Sequence, residues 1–341
     1  MDGNNNRVLD MIKRIVGTLY IPVIIYFVIL AIARGSGLTF FGNATTWQNL
    51  IQSMAATATI AYALGIQIKN GRFDFSGGAV MTLGAIVSVY VVNQIVVNWL
   101  LFLILSILIC TALSVLVGIL YTYGRLPVII ATIGAAILFE SLTLLVDNGR
   151  GISISATSAL NFLGKNTWVC LALTAVSAVI YFCFTRLTIA GQHANLLANN
   201  QQAAVNIGIN ERKNVMQTFV MTGMLYGIAT VIYASQSASV AAVSSTLGTI
   251  STAFGAILPV YMGFYIGKFT NNDAVGIIFS SFAVGTLKYG LSIIAPSGYS
   301  GAYTNIVYGI FLVVFFLISH QGDAILEWLK EKIRTEERQP E

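Results

Sequence analysis

The sequence predicts an all-α, polytopic membrane protein with about ten transmembrane helices. Three observations carry that prediction. Hydrophobic residues make up 56% of the chain and charged ones 9%, with a mean hydropathy of +0.80, whereas soluble domains carry about a quarter charged residues. The apolar residues fall in runs close to the ~20 that a helix needs to cross a bilayer, where lipid offers no partner to a backbone amide or carbonyl. A single polar, helix-forming insert at 186–213 interrupts the series after six runs and before four more.

The runs extend from Ile15 to Ala33, Leu50 to Ile68, Gly77 to Val97, Trp99 to Leu120, Pro127 to Val146, Thr167 to Phe184, Val215 to Tyr233, Ile250 to Ile266, Ala274 to Ile294 and Tyr303 to Ile318. The third and fourth nearly fuse at Asn98. Residues 1–14 read as a cytoplasmic N-terminal segment, 15–320 as the membrane domain and 321–341 as a cytoplasmic tail. The first run is long enough to span and no small-residue cleavage site follows it, so it reads as a first helix rather than a removed signal. The tail, EWLKEKIRTEERQPE from Glu327, reads as a solvated helix that either caps the protein or touches a partner.

Cations set an orientation. With the N-terminus cytoplasmic, the inner segments hold Arg7, Lys13, Arg14, Lys69, Arg72, Arg125, Arg186, Arg212, Lys213, Lys268, Lys330, Lys332, Arg334 and Arg338, leaving only Arg34, Arg150, Lys165 and Lys288 of the 18 Lys and Arg outside or embedded. Cytoplasmic loops retain Lys and Arg, so both termini are expected inside the cell. The pI of about 9.1 then reports topology. No basic stripe with interleaved aromatics suggests nucleic acid, and the surrounding partner is membrane lipid.

Chemistry in the chain itself is sparse. Cys110, Cys170 and Cys183 lie inside apolar runs without paired spacing and read as small buried hydrophobes. His193 and His320 have no carboxylate or cysteine at ligand spacing, so neither a metal site nor a catalytic residue is expected. The nearest string to a phosphate-binding loop, Gly263 to Phe269, is one residue short and ends in Phe. Gly263 and Gly267 read instead as a small-xxx-small pair for close helix packing. Any nucleotide energy must therefore come from another subunit.

Within the insert, Asn199 to Ile207 reads as one short helix with Ala203, Ala204 and Ile207 on one side and Gly208 as its stop. It either docks into a groove on a soluble partner or rests on its own bundle. Charges at bilayer depth cost about 2.5 to 3.5 kcal/mol by insertion measurements, so Glu140 and Lys288 are candidates for the pathway or for a structural ion pair, even with each other. Gln52, Gln67 and Asn93 offer neutral hydrogen bonds of the kind a hydroxylated solute uses. Trp47, Trp99 and Trp168 fit an interfacial belt.

Several strings carry a resemblance. Thr185 and Gly191 precede Ala203-Ala204 and Gly208-Ile209-Asn210, and Gly71-Arg72-Phe73-Asp74-Phe75-Ser76-Gly77-Gly78 precedes Leu83-Gly84-Ala85. Asn49-Leu50, Ile130-Ala131-Thr132 and Gly149-Arg150-Gly151-Ile152 add weaker echoes. In this order and spacing, from about Asn49 to the tenth run, the chain resembles the ABC-transporter permeases for simple sugars, the ribose-type importers related to nucleoside and branched-chain amino-acid permeases. It departs from the pattern at Ala198-Asn199, at Val205, at Arg72 in place of a Gly, and at Glu140.

The resemblance implies a transport subunit, not an enzyme, in a bacterial plasma (inner) membrane. Two permeases, identical or different, would form the pathway. An ABC ATPase would hold the ATP and Mg, and an extracellular or periplasmic solute-binding protein would deliver the solute. Residues Leu196 to Ile209, with Leu196, Asn199, Asn200, Ala203, Ala204, Gly208 and Ile209, would couple to the ATPase. Asp74 and Ser76 would shape or gate the inner end of the pathway. Beside that role, Asp74 also reads as a solvated carboxylate near Lys69 and Arg72, and Ser76 as the N-cap of the third span. The competing class is an ion-coupled secondary carrier, with Glu140 as its carboxylate, but the halves show no sequence repeat.

Overall fold

A computed structural model describes residues 2–39, 42–154, 158–237, 239–244, 246–295, 301–317 and 319. Its helices are α1 (Asp2–Gly35), α2 (Ala44–Lys69), α3 (Gly77–Ile95), α4 (Trp99–Gly124), α5 (Val128–Thr143), α6 (Ser158–Lys165), α7 (Thr167–Phe182), α8 (Ile189–Asn199), α9 (Gln201–Asn206), α10 (Glu211–Ser237), α11 (Ile250–Phe254), α12 (Ile257–Thr270), α13 (Asp273–Ile294) and α14 (Gly301–Leu317). Among the described residues eight helices are long and apolar enough to cross a membrane, with α11 and α12 taken together, and α5 and α14 are shorter apolar helices. The protein is an all-α, multi-pass membrane protein. His320 and the charged tail lie outside the described residues.

Contacts divide the chain into a larger unit, residues 1–22 and 41–285, and a smaller one, 23–40 and 286–341. In the larger unit α10 packs on α4 and α2, and α2 also packs on α7. Burial separates inner from outer helices: 78%, 67% and 72% of the apolar windows of α2, α3 and α10 are buried, against 28% for α4 and α7. The large side chains left exposed on α4 and α7, among them Ile104, Leu108, Val176 and Val179, suit lipid contact.

Small residues let the inner helices meet. A Cβ on Gly223 or Gly227 of α10 would strike the α4 backbone at Thr111 or Ile107. Hydroxyls that have no acceptor in lipid turn back on their own helices, as Thr59 does to the Ala55 carbonyl at 2.8 Å and Thr230 to that of Tyr226 at 2.7 Å. Asn98 separates α3 from α4 by capping, its Oδ1 accepting the Leu100 amide at 2.8 Å. A two-residue antiparallel pair joins β1 (Ile152–Ser153) to β2 (Ser239–Val240).

Two expectations change here. The insert is not one helix over 199–207: Asn199 ends α8, and Asn200 starts α9 by accepting the Ala203 amide at 3.0 Å on its Oδ1. The second change concerns the fifth span, which stops at Thr143 rather than reaching Val146. The Thr143 hydroxyl donates back to the Glu140 carbonyl at 2.6 Å and accepts the Val243 amide at 2.9 Å.

Candidate functional site: an unwound junction at mid-height

Contacts along α10 serve as a ruler, at 1.5 Å of rise per residue. Arg72 Nη1 donates to Thr218 Oγ1 at 3.3 Å, Gln67 Nε2 donates to Thr222 Oγ1 at 3.1 Å, and Gly77 lies against the Tyr226 phenol. Cys110, near the middle of α4, faces Val80 and Gly84. Tyr226 is close to the centre of the 27-residue α10. Helix α3 therefore begins about halfway through the bundle, and the non-helical stretch 70–76 climbs to that level.

A second irregular stretch, described at 241–244 and 246–249, meets the first there. Gly78 abuts the carbonyl of Thr249 so closely that any Cβ would overlap it. Phe75 and Phe254 stack with ring centroids 5.2 Å apart. Behind this contact stands Glu140 of α5, fully buried. Its Oε2 accepts the Leu247 amide at 2.8 Å, and its Oε1 accepts the Thr249 amide at 2.8 Å and hydroxyl at 2.6 Å. Leu247 adopts φ 61°, a left-handed conformation costly for a side-chain-bearing residue, and the Glu140 bond on its amide holds it there.

The carboxylate of Glu140 is thus spent on backbone and hydroxyl donors, and no cation among the described residues pairs with it. The Lys288 ammonium, in the smaller unit, stands 4.4 Å from the Tyr308 ring centroid.

Asp74 is 4% exposed, so the solvated reading fails. Lys69 pairs with Asp273 instead, and Arg72 lies 5.8 Å from the Tyr121 ring centroid. Asp74 Oδ1 accepts the Ser76 amide at 2.9 Å and the Ser76 hydroxyl at 2.6 Å. Ser76 stands at the N-cap position of α3, yet its hydroxyl donates to Asp74 and caps nothing.

The neutral candidates do not form one constellation. Gln67 is fully buried near the junction. Gln52, fifteen residues away on α2 and so roughly 22 Å along its axis, donates to the Lys165 carbonyl at 2.7 Å and to Thr167 at 3.2 Å. Asn93 is exposed near the far end of α3. Sequence reasoning missed Tyr226, whose buried hydroxyl has no described partner, and Thr249. A tyrosine in an apolar run gives no signal that it faces a helix start.

Gly263 and Gly267 stand where α12 meets α13, and a Cβ on either would crowd Ile277 or Asp273. In the insert, Leu197, Ala204 and Ile209 form a small buried cluster. Gly208 stops α9 at φ +94°. Ala203, Asn199 and Asn200 are exposed, and so are Leu196, Val205 and Ile207. The expected grouping of Ala203, Ala204 and Ile207 on one side therefore does not hold, because Ala204 turns inward while Ile207 is 72% exposed. Ala198 of α8 lies beside Gly71, which has φ +70° and opens the climbing stretch.

Residues 46–316 match the model of a family described as "Branched-chain amino acid transport system / permease component". The chain belongs to this permease family. Curated relatives of this permease include the ribose import permease protein RbsC of Bacillus subtilis (strain 168), 26% identical over 81% of this chain and 85% of the relative. The RbsC of Escherichia coli (strain K12) is 23% identical over 80% and 85%. The D-allose transport system permease protein AlsC of the same strain is 23% identical over 83% and 85%. No solved structure matches significantly. The resemblance to sugar permeases drawn from the sequence motifs is thereby upheld, and it covers most of the permease chain.

Proposed function

We propose that the chain is the membrane subunit of an ATP-driven importer for a simple sugar, sited in the bacterial cell membrane with both termini inside. The observation that carries this reading is the junction of stretches 70–76 and 241–249. Unwound backbone at mid-height is tolerated in a membrane protein only where it is buried or lines a cavity, and half-helix starts offer free amides to a polar solute. The first amides of α3, the Tyr226 hydroxyl and Gln67 are neutral groups suited to sugar hydroxyls. Family membership and the ribose and allose permeases among the relatives support the same class.

The pathway would open by movement of one stretch against the other. Segment 241–249 is tied to α5 through Glu140 and Thr143, so those parts would move together. Helices α8 and α9 would seat on the partner ATPase, which holds ATP and Mg, through exposed Leu196, Val205 and Ile207. Contact between Ala198 and Gly71 would carry that motion to the climbing stretch and so to Asp74 and Ser76. A solute-binding protein would deliver the sugar to a pair of permeases.

The test is uptake into proteoliposomes holding the permease, its ATPase and its binding protein. ATP-dependent accumulation of a pentose or hexose is expected. Accumulation of leucine or a nucleoside with no sugar uptake would overturn the sugar assignment, and uptake driven by an ion gradient without ATP would overturn the class.

A further inference from the structure

Where the helical turn 183–187 that follows α7 meets α8 and α10, an apolar trough of about 910 Å³ opens at the surface, walled by Phe184, Leu187, Ile189, Met216, Val220 and Met221. A recess of about 380 Å³ adjoins it and adds His193, Asn210 and Asn214. Lys213 and Gln217 line both. Leu187 and Ile189 are 67% and 70% exposed, and the apolar surface continues onto α7 at Val179, 60% exposed. The trough thus runs into the face that suits lipid.

Its mouth is positive. Lys213 is exposed, and no carboxylate among the described residues pairs with it. Lys213 sits in the first turn of α10, where Asn210 Oδ1 accepts its amide at 3.0 Å, so the positive end of a 27-residue helix adds to the ammonium. Arg212, beside it, is also exposed. The one acid in that turn, Glu211, accepts a hydrogen bond from Gln201 at 2.8 Å. His193, the other titratable group at the recess, is half-buried.

We propose that this trough binds one anionic glycerophospholipid of the phosphatidylglycerol type, with an acyl chain along Met216, Val220 and Met221 and the phosphate at Lys213. A free phosphate gains nothing from the apolar wall, and a zwitterionic headgroup gains less from the positive mouth. Leu196, Val205 and Ile207, the side chains assigned above to the ATPase, do not line the trough. The lipid would hold α8 to α7 and α10 from the membrane side.

Native mass spectrometry of the full chain, titrated with dioleoylphosphatidylglycerol and with dioleoylphosphatidylcholine, tests this. One phosphatidylglycerol adduct is expected in about fivefold preference over phosphatidylcholine, the scale of one Lys against an anionic headgroup. Lys213→Glu should abolish the preference, and Val220→Trp should remove the adduct with the melting temperature unchanged. Met221→Trp provides a second filling variant if Val220→Trp fails to insert. Equal adducts of both lipids, a preference that survives Lys213→Glu, loss of the adduct to inorganic phosphate, or its displacement by the purified ATPase would each overturn the proposal.

Discussion

Gly78 at the start of α3 rests directly on the carbonyl of Thr249, and this backbone contact joins two stretches that lie more than 160 residues apart in sequence. Neither partner is the end of a flexible side chain that could swing away. Gly78→Ala should therefore force the stretches apart, at about 1–3 kcal/mol for an overpacked interior. A fall in melting temperature and at least a tenfold loss of uptake are expected. Gly134→Ala on α5, where a Cβ meets nothing within 4 Å, should leave both unchanged.

Glu140 stabilises the 241–249 stretch through three donors. Glu140→Gln keeps the shape but turns an NH2 toward a backbone amide, and hydrogen bonds to charged groups contribute about 1.5–3 kcal/mol each. Thermal unfolding should shift down by several degrees, and protease should cut the stretch in the variant first. An unchanged melting temperature would show that the stretch holds without this anchor.

Asp74 is tested through its bonds to Ser76. Asp74→Ala removes the oxygen that accepts the Ser76 amide and hydroxyl and leaves buried donors unpaired, at about 1–3 kcal/mol. The variant should melt several degrees below the native chain in detergent, whereas Asp74→Asn, which keeps an oxygen for both donors, should melt close to it. An Asp74→Asn variant as unstable as Asp74→Ala would show that the two bonds do not hold the turn.

The insert separates docking from packing. Ile207→Glu changes a side chain that is 72% exposed and should abolish co-purification with the ATPase while leaving the melting temperature intact. Ala204→Arg drives a charge into the cluster with Leu197 and Ile209 and should lower stability whether or not the ATPase is present. Equal loss of association in both variants without any change in melting would place the docking surface on the inward side.

The class, the number of apolar helices and the family motifs were legible in the sequence, because lipid forces every spanning segment to be apolar for about 20 residues and to satisfy its own backbone. The spacing of Gly263 and Gly267 is visible in the chain for a related reason, since close packing favours small residues four apart, whereas Gly223 and Gly227 were found only in the fold. Roles that depend on a partner distant in sequence were not. Glu140 could equally have faced Lys288 or solvent, and only folding brings it to the amides of Leu247 and Thr249. Asp74 reads as a loop carboxylate beside two cations, and only the climb of 70–76 to the level of Tyr226 buries it. Nothing local distinguishes Ala203 from Ala204, yet one is exposed and the other packed, because neighbours on a helix point about 100° apart and Ala204 is the one that meets Leu197 and Ile209. Sequence alone fixes which segments must leave water, a matter of composition over a window. Tertiary structure decides which polar groups meet inside, because hydrogen-bond partners are chosen by distances of about 3 Å that no spacing along the chain encodes.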